Sequence, residues 1–264
     1  MLGNNEKPIQ RGDIMGDGGD AKSGVQDVKV PERVIDGKPT MYGFQTCPFC
    51  WKVRALLRYK GVEFREVEVD PMKKKEISWS DEWKKVPIYV ESDGTQVNDS
   101  NDILHWINKT HSGGNVFQEV IIDSEQDKWM DFSNDILGKS IVAVIYKTYK
   151  TSRHALRYVS EIDQFSKFSA WKSVWLGGII MKMVGKSRAK MFEKDPEENL
   201  QYQLDVMSSG IREVFFGGDV PNGADFANFG ILRSMQGLNG FDIVENHKDV
   251  STWYKNMQEI AHSY

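Results

Sequence analysis

The chain has 264 residues, enough for one large domain or two of ordinary size, and 40% of them are hydrophobic. A formal net charge of −4 and a pI near 5.8 argue against nucleic acid as the main partner. Two cysteines in such a length exclude a disulfide framework and point to a reducing compartment, cytoplasmic or mitochondrial.

Residues 1–38 are rich in Gly, Asp and Lys, and the run Gly16-Asp17-Gly18-Gly19-Asp20 has nothing to bury. This composition predicts a disordered tail. The start carries no apolar h-region and no Arg-rich amphipathic stretch, so neither a signal peptide nor a transit peptide is expected, and the protein reads as soluble.

Pro39 to Phe44 reads as a buried strand, and Lys52 to Tyr59 has helical spacing of its apolar residues. Between them stands Thr46-Cys47-Pro48-Phe49-Cys50, which holds both cysteines. The motif therefore occupies a strand-to-helix turn and aims Cys47 at the positive end of a helix dipole. Unpaired backbone N–H groups there favour a thiolate over a thiol. Pro48 suits the first helical turn, where its missing N–H costs nothing. Lys52 and Arg54 add positive potential. Cys47 is the expected nucleophile, with Cys50 beside it. A zinc site needs about four ligands, and His105, His111, His154, His247 and His262 show no paired ligand spacing, so no metal is expected.

Glu63 to Asp70 alternates as a half-buried strand, and Lys73 to Trp79 reads as a short charged helix. Val86 to Val90 gives a third strand, Gly94 a turn and Thr95 to Val97 a fourth strand. Asp99 or Ser100 then caps a helix over 101–108. The order βαβ then ββα, with C-x-x-C after the first strand, is the thioredoxin arrangement, assigned to residues 39–112. Residues 113–264 form an all-helical second domain in this reading. Helical patterns open at Trp129 and run over 136–149, 153–168, 199–214 and 253–260. Trp171 to Val184 is the most apolar stretch, but a bilayer span needs about 20 residues and this run holds Lys172 and Lys182. A buried core helix or a dimer face is the favoured use, with membrane-surface contact the weaker one.

With these pieces placed, the chain resembles the glutathione transferase superfamily after about residue 38. Within it, the chain is most similar to the membrane-associated prostaglandin E synthase type 2 branch. The likeness is carried by Thr46-Cys47-Pro48-Phe49-Cys50 with Lys52-Val53-Arg54, by Lys85-Val86-Pro87-Ile88, and by Asn98-Asp99-Ser100. Phe216-Gly217-Gly218, Pro221-Asn222, Ala224-Asp225, Leu232-Arg233, Met235, Gly237-Leu238 and Trp253-Tyr254 belong to the same pattern. The resemblance implies a glutaredoxin-type domain followed by a helical transferase-like domain. It implies a cis-proline turn at Val86-Pro87 whose free backbone edge pairs an extended glutathione. Asp99 and Ser100 stand where the family holds the γ-glutamyl end, although an ordinary N-cap explains the same residues. Asn222 to Asp225 resembles the superfamily's structural capping box. Phe44 and Phe49 match an apolar substrate pocket beside the essential thiol, with Phe44 standing where the branch has a Tyr.

The activity so implied is glutathione-dependent isomerisation of prostaglandin H2 to prostaglandin E2 through a Cys47 thiolate. Glutathione and a small apolar or lipid-derived compound are the expected ligands, and a homodimer the expected assembly. The branch also allows haem, to which no residue is assigned here. The alternative is a glutaredoxin-like thiol–disulfide oxidoreductase, in which Cys47 attacks and Cys50 resolves. A third reading is a non-enzymatic interaction module that keeps the fold. Cys50 separates the first two, because only disulfide cycling requires it.

Overall fold

The computed structural model describes residues 24–26, 37–71, 73–111, 124–158 and 167–262. The strand expected before the cysteines forms as β2 (Thr40–Gly43), buried along its whole length. Helix α1 (Pro48–Tyr59) follows, with Pro48 in its first turn and Val53, Leu56 and Leu57 turned into the core. The chain returns as β3 (Arg65–Glu68), parallel to β2, which is the βαβ unit the sequence indicates. Strands β4 (Ile88–Val90) and β5 (Gln96–Asn98) add antiparallel, and α2 (Ser100–Thr110) closes the unit.

Two local expectations change. Residues 24–26, inside the segment read as a tail, form β1 (Gly24–Gln26) against β5, which gives the sheet order β1-β5-β4-β2-β3. Three residues carry too little pattern to be read as a strand; the main-chain donors and acceptors on the open edge of β5 capture them. The charged helix expected over 73–79 is a single 3-10 turn, Lys75–Ile77, entered through Lys74 at φ 50°.

The second part is helical. α3 (Ser124–Phe132) runs through a π-helical turn (Ser133–Leu137) into α4 (Gly138–Ile145). The helix expected over 136–149 ends early because Thr148 caps a new one, α5 (Tyr149–Ala155), in a capping box with Thr151. The helix expected over 153–168 is therefore not continuous, and residues 159–166 lie outside the described ones. Then come α6 (Lys167–Ala189), α7 (Pro196–Ser208), α8 (Gly223–Arg233), α9 (Phe241–Asn246) and α10 (Lys248–His262). The helical periodicity named neither α8 nor α9. In α8, Ala224 to Leu232 is buried without interruption, so its sequence shows no polar face to mark a period.

The two parts meet where α8 packs on α1. Gly230 allows this, since a side chain there would strike the backbone of Lys52. The Tyr59 and Phe226 rings lie 5.0 Å apart along the same seam. The expected capping box sets the start of α8: Asn222 Oδ1 accepts from Ala224 N, and Asp225 Oδ2 accepts from Asn222 N at 2.8 Å. Asp225 also accepts from Phe216 N at 2.9 Å, Gly217 N at 3.3 Å and the Trp253 indole at 2.7 Å, which ties α8 to α10.

Of the two favoured uses of the apolar stretch, core helix or dimer face, α6 does not form a buried core helix. It meets α4 and α5 through Gly177, Gly178 and Gly185, where side chains would collide with Leu156, Arg153 and the Tyr146 carbonyl. Trp175, Leu176, Ile179, Ile180 and Met183 are left outside, Met183 being 68% exposed. No described helix is long and apolar enough to cross a membrane.

Candidate functional site: a thiol pair at one end of the sheet

Strand register brings the site together. Tyr42 pairs with Ile88, and Ile88 with Asn98, so Gly43, Pro87 and Asp99 stand side by side at one end of the sheet. Cys47 is the N-cap of α1 at that end, and its N–H donates to Phe44 O at 3.0 Å. The Val86–Pro87 peptide is cis. Asp99 adopts a positive φ of 71° and its Oδ1 accepts from Asn101 N at 2.9 Å, capping α2, whose first residue Ser100 is buried. The motif loop, the proline turn and the α2 start thus lie at one end of the sheet.

Cys47 and Cys50 are both free and buried. Burial pushes the Cys47 thiol up. Donation from the Cys50 S–H and N–H, the Arg54 charge and the Phe49 N–H outweigh it and leave Cys47 below its ordinary value. Cys50 moves the other way. Burial raises it well above the ordinary value, and its hydrogen bond to the Cys47 sulfur and the charge there raise it further. The two sulfurs are thus shifted in opposite directions, and Cys47 is the easier of the pair to ionise. Gly43 leaves room for Cys50, because a Cβ there would stand 2.7 Å from the Cys50 Sγ.

The two cations expected beside the thiols have separate jobs. Arg54 is 2% exposed and acts on both sulfurs while its guanidinium binds Glu66. Lys52 is drawn into the seam between the two parts of the chain, where its ammonium donates to Ser133 Oγ at 2.6 Å and to Asn134 Oδ1. Burial lowers it to about 7, against the opposing charges of Asp99, Asp131, Cys47 and Asp135. The ammonium also lies 5.5 Å from the Phe49 ring centre.

Sequence reasoning missed two hydroxyls. Thr46 is met from the helical part by Tyr146 and Tyr158. Burial raises the Tyr146 phenol to about 12 and holds that of Tyr158 protonated as well, and the charge on Cys47 raises both. The Tyr158 hydroxyl is buried without a partner in hydrogen-bonding geometry, with Thr46 as its polar neighbour. No local pattern signals this, because Tyr146 and Tyr158 lie about a hundred residues from the motif. Phe44 and Phe49 are half-buried against the core, and Phe49 faces Gly138 of α4.

Among the described residues no group of three or more His, Cys, Asp or Glu side chains offers a metal site. His105, His111 and His247 face Asp127, Glu91 and Asp205. Haem, which the resemblance allowed, gains no support from the described residues.

Residues 41–115 match the glutathione S-transferase N-terminal domain family. Prostaglandin E synthase 2 of Danio rerio is 30% identical over 272 aligned residues, which span 86% of this chain and 72% of that protein. Among solved structures, a glutathione transferase from Populus trichocarpa superposes with a TM-score of 0.56 at 13% identity, covering 85% of this chain and 98% of its own. Glutaredoxin 2 from Salmonella typhimurium, solved in complex with glutathione, gives a TM-score of 0.52 at 15% identity over 87% of this chain and 97% of its own. At these identities the two structures share the fold.

Proposed function

The chain belongs to the glutathione transferase superfamily, in the branch of prostaglandin E synthase 2, and on that premise we propose that it isomerises prostaglandin H2 to prostaglandin E2 at Cys47. The observation that carries this reading is the split of the thiol pair, with Cys47 held low and Cys50 held high. A weak O–O bond calls for a soft nucleophile in a water-poor pocket, and a buried thiolate fits that need.

The Cys47 thiolate attacks the oxygen on C9, forming an S–O bond as the O–O bond breaks. The C11 oxygen leaves as an alkoxide and takes a proton from the Tyr146 or Tyr158 hydroxyl, the two phenols next to Thr46. The phenolate so formed takes the C9 proton, the C–H pair forms the ketone, and the S–O pair returns to sulfur as thiolate. Phe44 and Phe49 line the apolar wall. Glutathione fits the shared edge: the Val86 backbone suits an extended tripeptide, Pro87 orients that turn, and Asp99 and Ser100 suit its amino-acid end. Pro48 keeps the first turn of α1 open to the sulfur. Glutathione, when bound, would add a further thiol beside Cys47 and Cys50.

Thiol–disulfide exchange is the second reading, favoured by one observation: the Cys50 thiol already donates to the Cys47 sulfur, so closing a disulfide needs little motion. Product analysis after adding prostaglandin H2 and glutathione decides between them, with Cys47→Ser, Cys50→Ser and protein-free controls. Isomerisation gives an excess of prostaglandin E2 that is lost in Cys47→Ser and kept in Cys50→Ser. A product profile equal to the protein-free control sinks it, and disulfide reductase activity lost in both variants then establishes the second reading.

A further inference from the structure

Three arginines converge on one tryptophan next to the thiol pair. The guanidinium carbons of Arg54, Arg58 and Arg233 lie 4.9, 5.6 and 4.4 Å from the centre of the Trp51 ring. The ring itself is fixed, because its indole N–H donates to Gln45 O at 2.6 Å, in the loop that leads to Cys47. Two carboxylates stand on this side of α1. Glu66 accepts from Arg54, and Glu68 accepts from Gln45 N at 3.1 Å, with burial lifting its carboxyl to about 7. Positive charge therefore remains in excess.

The donors are not used up either. Arg54, 98% buried by the 2% exposure of its side chain, keeps its Nη1 without a partner, and so does the buried Nε of Arg233. Burial lowers the Arg233 guanidinium, and the charges of Arg58 and Arg54 lower it further, against Tyr254. Like charges brought together with unpaired donors are unfavourable unless an anion joins them. A planar fork of N–H donors suits a carboxylate, and the indole face beside it suits an apolar chain.

We propose that Trp51, Arg54, Arg58 and Arg233 form a subsite for the carboxylate of an apolar compound whose reactive centre lies at Cys47. Cys47, Trp51, Arg54 and Arg58 follow one stripe of α1, with side chains leaning toward its N-terminus. Arg54 is seven residues from Cys47, roughly 10 Å along the axis. An acyl chain spans that distance, with its acid at the arginines and its reacting atoms at the sulfur. The link to a reacting lipid rests on the isomerase reading, whereas carboxylate binding does not.

Calorimetric titration with decanoate tests it, using the full chain, Arg58→Gln, Arg233→Gln and Cys47→Ser, with decanol as the uncharged control. The expected result is decanoate binding that is weakened at least threefold in each arginine variant, kept in Cys47→Ser, and reduced by added salt. Decanol binding stays the same throughout. A tripeptide with a free C-terminus, compared with its amide, tells a peptide acid from a fatty acid, and preference for the peptide overturns the apolar-chain assignment. Equal decanoate affinity in the parent chain and both arginine variants overturns the subsite. Failure of prostaglandin turnover leaves the calorimetric result standing, so the two ideas fail separately.

Discussion

Helices α8 and α6 both approach their neighbours through glycine, with opposite results for their other faces. At Gly230, α8 closes on α1 and is buried from Ala224 to Leu232. At Gly177, Gly178 and Gly185, α6 closes on α4 and α5, and its large apolar residues are left outside. The difference is that α8 has α1, α3 and α10 around it, while among the described residues α6 packs mainly on α4 and α5. Apolar content alone does not tell which face of a helix is buried. The positions of the small residues do, because they mark where two backbones come close.

The comparison breaks most severely at Asp225, which holds α8 in place. Asp225→Ala leaves the N–H groups of Phe216, Gly217, Asn222 and Trp253 without their acceptor, and a loss of about 3–5 kcal/mol is expected in urea unfolding. Gly230→Val forces α8 away from Lys52, at a cost of roughly 2–3 kcal/mol by the same measurement. Lys52 adds a pH signature to that seam. Its folded value of about 7 lies below the ordinary 10.5, so the unfolded chain holds more protons between them and stability rises with pH there. Below about pH 7 both states carry the ammonium and its burial counts against the fold in full. The parent chain is expected to gain on Lys52→Met by up to about 1.4 kcal/mol per pH unit between pH 8 and 10. A difference that stays flat with pH contradicts the buried ammonium. The smallest effect belongs to α6, where Ile180→Ser and Met183→Ser are expected to change stability by less than about 0.5 kcal/mol. A loss near that of Gly230→Val shows that this face is covered in solution.

Much of the first part of the chain was legible because its signals are local. Alternation gave β3, the Cys47-Pro48 step gave the start of α1, and Asp99 gave the cap of α2. The shared edge of Cys47, Pro87 and Asp99 became visible only in the strand register. What stayed hidden depends on contacts far apart in sequence. Thr148 breaks a pattern that looks continuous, Lys52 is taken by Ser133 and Asn134, and the phenols of Tyr146 and Tyr158 reach Thr46 from another part of the chain. Residues 24–26 pair through backbone alone, which no side-chain pattern announces.

The direct test of the central claim is the pH dependence of iodoacetamide alkylation, followed separately for Cys47 and Cys50 by peptide mass spectrometry. The account expects Cys47 to react with a midpoint below that of a free cysteine thiol, while Cys50 stays unmodified over the same range. Arg54→Met, which removes one of the charges that lower Cys47, is expected to move that midpoint upward. A Cys47 midpoint at or above the free-thiol value, or a Cys50 that reacts first, contradicts the assignment of Cys47 as the working thiolate.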